Sequence, residues 1–225
     1  MKRADVLSIR SLFSGSARFR VAPTHRGFVW TPQEVAQLVV DMEIAARDPE
    51  ADDDEIAERF YLGVLNVRAQ KGGVFIVQDG VQRLTTIALM LAFIRDRVRN
   101  VRLSRRIDTL LKRRAFARPA EPRLRLSPES HAWFSHFILP AGATMRLPAE
   151  APIGSPRELL LAARFMEQCF AGYGDQNLVD LAEFAMKHTA VVRTLIDVSA
   201  PATPARPTPP RFQDEPLSHY GVAAE

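Results

Sequence analysis

Val74-Phe75-Ile76-Val77-Gln78-Asp79-Gly80-Val81-Gln82-Arg83 decides the fold of this chain: a β-like apolar run passes through an Asp-Gly turn directly into a helical pattern that opens with an arginine. From Gln82 onward, Leu84, Ile87, Ala88, Leu91, Ile94 and Val98 trace one helical face. Strand, tight turn and helix N-terminus in that order form an anion site. The helix's first N–H groups and the positive end of its dipole would lie beside the Arg83 guanidinium, and Gly80 has no side chain to hold a phosphate away from the backbone. The same order also describes an ordinary strand-to-helix turn with a solvated arginine.

Working outward, residues 61–67 are apolar and partly β-branched, and Lys71-Gly72-Gly73 supplies a turn before residues 74–77, which reads as two strands joined in a hairpin. Thr31-Pro32-Gln33-Glu34 is a capping box with proline at the first helical position, and Val35, Leu38, Val39 and Met42 follow at helical spacing, so a helix is predicted over 32–46. Residues 1–19 supply a first short helix or strand. A helix is expected over 103–116 and a break over 118–123. Ser127 then caps a helix with Pro128 at its first position and Trp133, Phe134 and Phe137 on its apolar side. After a Pro- and Gly-rich loop over 140–156, helices are expected over 157–171 and 177–187 and a strand over 190–198. Residues 199–225 begin with a proline-rich run and read as a flexible, partly polyproline tail. The pattern is α+β, divided into residues 1–117, a mainly helical extension over 118–198, and the tail.

The chain has 225 residues, of which 47% are hydrophobic, enough for a substantial core. No apolar run approaches the roughly 20 residues needed to span a bilayer, and the start carries no signal-peptide pattern, so a cytoplasmic location is expected and no membrane partner. Cys169 is the single cysteine, sits within a helical pattern, and is read as packing rather than as a catalytic thiol. His131, His136 and His188 are too scattered for a metal site.

The net charge of +4 is unevenly spread. Asp48, Glu50, Asp52, Asp53, Asp54, Glu55 and Glu58 form an acidic block, read as a loop or as the polar start of a short helix. Arg95, Arg99, Arg102, Arg105, Arg106 and Arg113 lead a basic stretch that either grips a nucleic-acid backbone through counterion release or forms a solvated helix face. No aromatic residue interleaves with these arginines before Phe116, so no base-stacking platform is indicated.

The Asp79-Gly80-Val81-Gln82-Arg83 segment resembles the D-G-Q-Q-R motif of the ParB-like N-terminal domain of GmrSD-type, modification-dependent restriction enzymes and related phage-defence proteins. That family carries an upstream phrase of the form I-P-x-Y-Q-R-x-Y-x-W. Here Pro23, Arg26 and Trp30 match it, Phe28 is a near match, and Thr24-His25 replace Tyr-Gln. Two motifs in the family's order, separated by a helix and a strand, are more specific than either alone. Val81 stands in place of the first glutamine, and a valine neither donates nor accepts a hydrogen bond.

The resemblance implies a ParB/sulfiredoxin-like small sheet with helices that binds a nucleoside triphosphate with Mg²⁺, sometimes hydrolyses it, and couples that state to restriction of modified DNA. Carried over by position, Asp79, Gln82 and Arg83 take the catalytic roles. Arg26, Trp30, Asp79, Gly80, Gln82, Arg83 and Thr85 form the nucleotide pocket. Proteins of the family continue into an HNH-type nuclease segment absent from this sequence, so nuclease chemistry is expected from a second polypeptide, or the chain acts as a homo-oligomer. With Val81, the expectation leans to binding over turnover, and a non-catalytic DNA-binding or regulatory module is the alternative.

Overall fold

In the computed structural model, which describes residues 3–22, 25–47, 60–115 and 118–196, the chain runs β1 (Arg3–Ser8), α1 (Ile9–Leu12), β2 (Arg18–Val21), α2 (Pro32–Ala46), β3 (Phe60–Gln70) and β4 (Val74–Asp79). It continues through α3 (Val81–Arg97), α4 (Val101–Leu111), β5 (Lys112–Ala115), β6 (Arg118–Pro122), β7 (Leu124–Arg125) and α5 (Pro128–Phe137). A 3₁₀ turn (Ala143–Met145) then leads to α6 (Ser155–Ala171), α7 (Asp175–Lys187) and β8 (Thr189–Leu195). The class is α+β: a mixed six-stranded sheet in the order β1-β8-β3-β4-β2-β7, with β5 and β6 forming a separate hairpin.

The local signals explain most of these boundaries. Thr31 accepts from the Glu34 N–H while the Glu34 carboxylate accepts from the Thr31 N–H at 2.7 Å, the reciprocal box that starts α2. Ser127 precedes α5 but makes no cap bond; its hydroxyl pairs with Ser130 Oγ at 2.9 Å instead. α4 ends at Leu111, earlier than the helical pattern suggests, because Lys112 to Ala115 pair antiparallel with β6 across the supposed break. Sheet pairing, a long-range interaction, overrides helix propensity there.

The sheet joins the two halves of the chain. β8 enters between β1 and β3, antiparallel to the first and parallel to the second, while β7 pairs parallel with β2. One buried cluster contains Phe19, Val21, Leu65, Val67 and Val77 from the strands together with Leu89 and Phe93 from α3, Met166 from α6 and Phe184 from α7. Residues 118–196 therefore complete the sheet and core that residues 3–115 begin. Alternate strand residues point the other way: Val6 is 54% exposed, Tyr61 57% and Val64 38%, so no described element covers the second face of the sheet. Residues 48–59 and 197–225, which hold the acidic block and the proline-rich tail, lie outside the described residues.

No helix among the described residues is long and apolar enough to cross a membrane.

Candidate functional site

β2 and β4 run parallel with Val21 opposite Val77, so the segment after Val21 and the N-terminus of α3 emerge at the same end of the sheet. Gly80 makes the turn into α3 in the left-handed conformation, φ +96°, and a Cβ there would meet Leu65 Cδ1 at 2.9 Å. Only glycine satisfies both conditions. No side chain among the described residues caps α3, so its first N–H groups have no side-chain acceptor there.

Gln82 ties the upstream segment to this helix end. Its Nε2 donates to the Gly27 carbonyl at 3.0 Å, and its Oε1 accepts from the Val29 N–H at 3.0 Å. The same segment is held from another side: the Phe28 N–H donates to Ser155 Oγ at 2.6 Å, and Ser130 Oγ donates to Ser155 Oγ at 2.6 Å. The first turns of α3, α5 and α6 thus converge on residues 27–29. Arg26 is exposed beside them, and Trp30 is half-buried against the core. Pro23, also part of the upstream phrase, lies outside the described residues.

Arg83 leans back over the sheet. Its Nη1 donates to the Leu62 carbonyl at 2.9 Å, and its Nη2 lies 4.0 Å from Asp79 Oδ2, whose side chain is half exposed. The guanidinium occupies the space that a Cβ at Gly63 would fill. Arg83, Gly80, Leu62, Val64, Leu65, Leu84 and Val191 line a shallow surface groove.

The match of the family model for the GmrSD restriction endonuclease N-terminal domain covers residues 9–142, more than half of the chain and both motifs of this site. The chain belongs to the GmrSD N-terminal domain family. No curated protein matches it. The family places the chain in a restriction system, and the GmrSD match spans the strand, turn and helix just described.

Within this GmrSD domain, of Asp79, Gly80, Gln82 and Arg83 Gln82 alone is bonded to the 26–30 segment, at Gly27 and Val29, whereas Arg83 reaches the other way, past Asp79 and Gly80 to Leu62 on β3. Thr85 is separate: it is fully buried and donates to the Val81 carbonyl at 2.7 Å, turned into the core rather than toward the helix mouth. Val81 is buried as well, at 3% exposure.

Arg95 is a structural arginine, not a DNA contact. It is 2% exposed, and its guanidinium donates to the Ile138, Leu139 and Pro140 carbonyls and to the Asp96 and Asp108 carboxylates. A buried charge requires such saturation. Arg106 pairs with Glu183 at 2.6 Å, Arg99, Arg102 and Arg105 are exposed, and Arg113 is half-buried in β5.

Burial opposes the Asp96 charge, but hydrogen bonds from Arg95, the Gly142 N–H and Thr144, with the Arg95 charge, hold its carboxyl below the ordinary aspartate range. Burial, assisted by nearby Glu43, pushes the Cys169 thiol up to about 11, which favours the protonated form at neutral pH. No cluster of three metal-ligating side chains occurs among the described residues.

Sequence reading missed Gly63 and the serines that clamp residues 27–29. An isolated glycine within the apolar run 61–67 signalled a bulge or close approach, and β3 does shift register between Tyr61 and Gly63. Ser155 carried no such signal, because its partner Phe28 is 127 residues away.

Proposed function

We propose that this GmrSD-family domain binds a nucleoside triphosphate at the mouth of α3 and transmits its occupancy to restriction of DNA through residues 26–30. The observation that carries the reading is the Gln82 bridge, which ties the Arg26 segment across a helix N-terminus that has no side-chain cap. The donor set fits polyphosphate chemistry: uncapped N–H groups, a helix dipole, and the Arg83 and Arg26 guanidiniums, both suited to forked contacts with phosphate oxygens. Asp79 offers one accessible carboxylate, which suits Mg²⁺ because that ion is held by one or two carboxylates together with the phosphates themselves. A bound Mg²⁺ would supply charge neutralisation. In this reading Gly80 admits the phosphates to the backbone, Arg83 releases Leu62 to meet them, and Trp30 supports the wall of the pocket.

Binding without rapid hydrolysis is favoured by Val81. Its side chain is packed in the core and offers no hydrogen bond to orient an attacking water. DNA and a nuclease-bearing polypeptide are the partners this role calls for, and a second copy of the chain would serve the same coupling. Titration calorimetry with each nucleoside triphosphate and Mg²⁺ tests the site. Arg83→Ala should weaken binding by roughly 1.5–3 kcal/mol. Identical heats for the variant would dismiss the site, and phosphate release measured with and without DNA separates hydrolysis from binding.

A further inference from the structure

The second face of the sheet carries a line of arginines. Arg125 on edge strand β7 stands directly opposite Arg20 on β2, Arg20 stands opposite Ile76 on β4, and Ile76 stands opposite Arg68 on β3. The register puts all three guanidinium side chains on the face away from Phe19, Val21, Val67 and Val77, which are buried in the core. Arg20 and Arg125 are exposed, and Arg68 is half-buried.

Like charges directly opposite each other destabilise a sheet. Elsewhere this fold answers a strand arginine with a carboxylate: Arg193 meets Asp5 at 3.0 Å, and Arg18 meets Glu121 at 2.9 Å. Among the described residues, Arg20, Arg68 and Arg125 have neither an ion pair nor a side-chain hydrogen bond. A repulsion that no described carboxylate offsets, held on a rigid scaffold, suits an external polyanion.

We propose that this face docks double-stranded DNA by its phosphates, through Arg20, Arg68 and Arg125, and that the basic helix α4 is not the DNA surface. At about 4.8 Å between strands, the row spans roughly 14 Å. Duplex DNA presents one charge per roughly 1.7 Å of its axis, so such a row meets several phosphates in any register and reads no sequence. On α4, Arg106 is already paired with Glu183, and Arg102 and Arg105, though exposed, have no like-charged partner opposite them on a paired strand. The choice of DNA over another polyanion rests on the restriction role proposed above.

The test is fluorescence anisotropy of the full chain with a mixed-sequence duplex over a salt series. The variant Arg20→Gln/Arg68→Gln/Arg125→Gln is compared with Arg99→Gln/Arg102→Gln/Arg105→Gln. The sheet variant should lose about 0.9 of log–log salt slope per arginine that contacts a phosphate, and the helix variant should bind as the parent does. The sheet variant should melt no lower than the parent, because a repulsion has been removed. Unchanged DNA binding by the sheet variant, a loss seen only in the helix variant, or equal parental affinity for phosphatidylglycerol vesicles or a polyglutamate peptide would overturn the proposal. Nucleotide titration of the sheet variant reads the α3 site separately: heat retained while DNA binding is unchanged defeats the docking surface alone, and heat absent from parent and variant alike defeats the nucleotide reading instead.

Discussion

The Arg83 guanidinium lies where a side chain at Gly63 would be, bonded through Nη1 to the Leu62 carbonyl at 2.9 Å. Gly63 also holds φ +112°, a conformation that L side chains rarely adopt. Gly63→Ala therefore meets two separate penalties, backbone strain of about 1–3 kcal/mol and eviction of Arg83 from Leu62. Urea denaturation should show the loss. Adding Arg83→Ala should recover part of it, with a coupling of at least about 0.5 kcal/mol in a double-mutant cycle. Strict additivity would mean that the two residues do not share this space.

The Gln82 amide uses both ends on the segment beside Arg26. Gln82→Ala removes both bonds, and at about 1 kcal/mol each should lower stability modestly while freeing the Val29 N–H to exchange faster with solvent. Gln82→Glu keeps an acceptor for Val29 but sets a carboxylate against the Gly27 carbonyl, so it should be the worse of the two near neutral pH. Equal exchange protection at Val29 in parent and both variants would show that residues 27–29 are held by Ser155 alone.

Much of this architecture was legible in the chain because its signals are local. The box at Thr31 and Glu34, the Gly72-Gly73 turn, and the switch from strand to helix at Asp79-Gly80 each depend on neighbours a few residues apart. What escaped depends on distance. β8 inserts between β1 and β3, and nothing near residue 190 announces that its partners are residues 3–8 and 60–67. The arginine-rich stretch shows the limit most clearly. Arg95 and Arg102 look alike in sequence, yet one is sealed under three carbonyls of residues 138–140 and the other faces water. A helical pattern gives the face, but the identity of what covers that face comes from elsewhere in the chain.

That contrast is measurable. Arg95→Met removes a buried cation, leaves three backbone carbonyls without their donor and takes the ion-pair partner from buried Asp96, while Asp108 keeps Lys112 at 2.7 Å; breaking a buried pair in this way costs about 3–5 kcal/mol. Arg102→Ala and Arg105→Ala touch only exposed side chains and should stay within about 0.5 kcal/mol of the parent. Thermal melting of the three variants decides the assignment. An Arg95→Met protein as stable as the parent would contradict a structural role.

Asp96 ties the Arg95 cluster to pH. Its carboxylate, 1% exposed, accepts from Arg95 Nε at 2.7 Å, the Gly142 N–H at 2.9 Å and Thr144 Oγ1 at 2.8 Å, so the ionised form is favoured in the folded state. Its folded pKa is lowered, although burial alone would raise it. A lowered folded pKa adds stability that is fully present above the unfolded value, about 3.9, and is lost as pH falls through the folded one. Asp96→Asn keeps the acceptor oxygen but cannot ionise. The stability gap between parent and Asp96→Asn should be constant from about pH 7 to 5 and should narrow as pH falls below about 4. Denaturant titrations at successive pH values read this gap directly, and a gap that holds or widens down to pH 3 would mean that the Arg95 network gains nothing from the Asp96 charge.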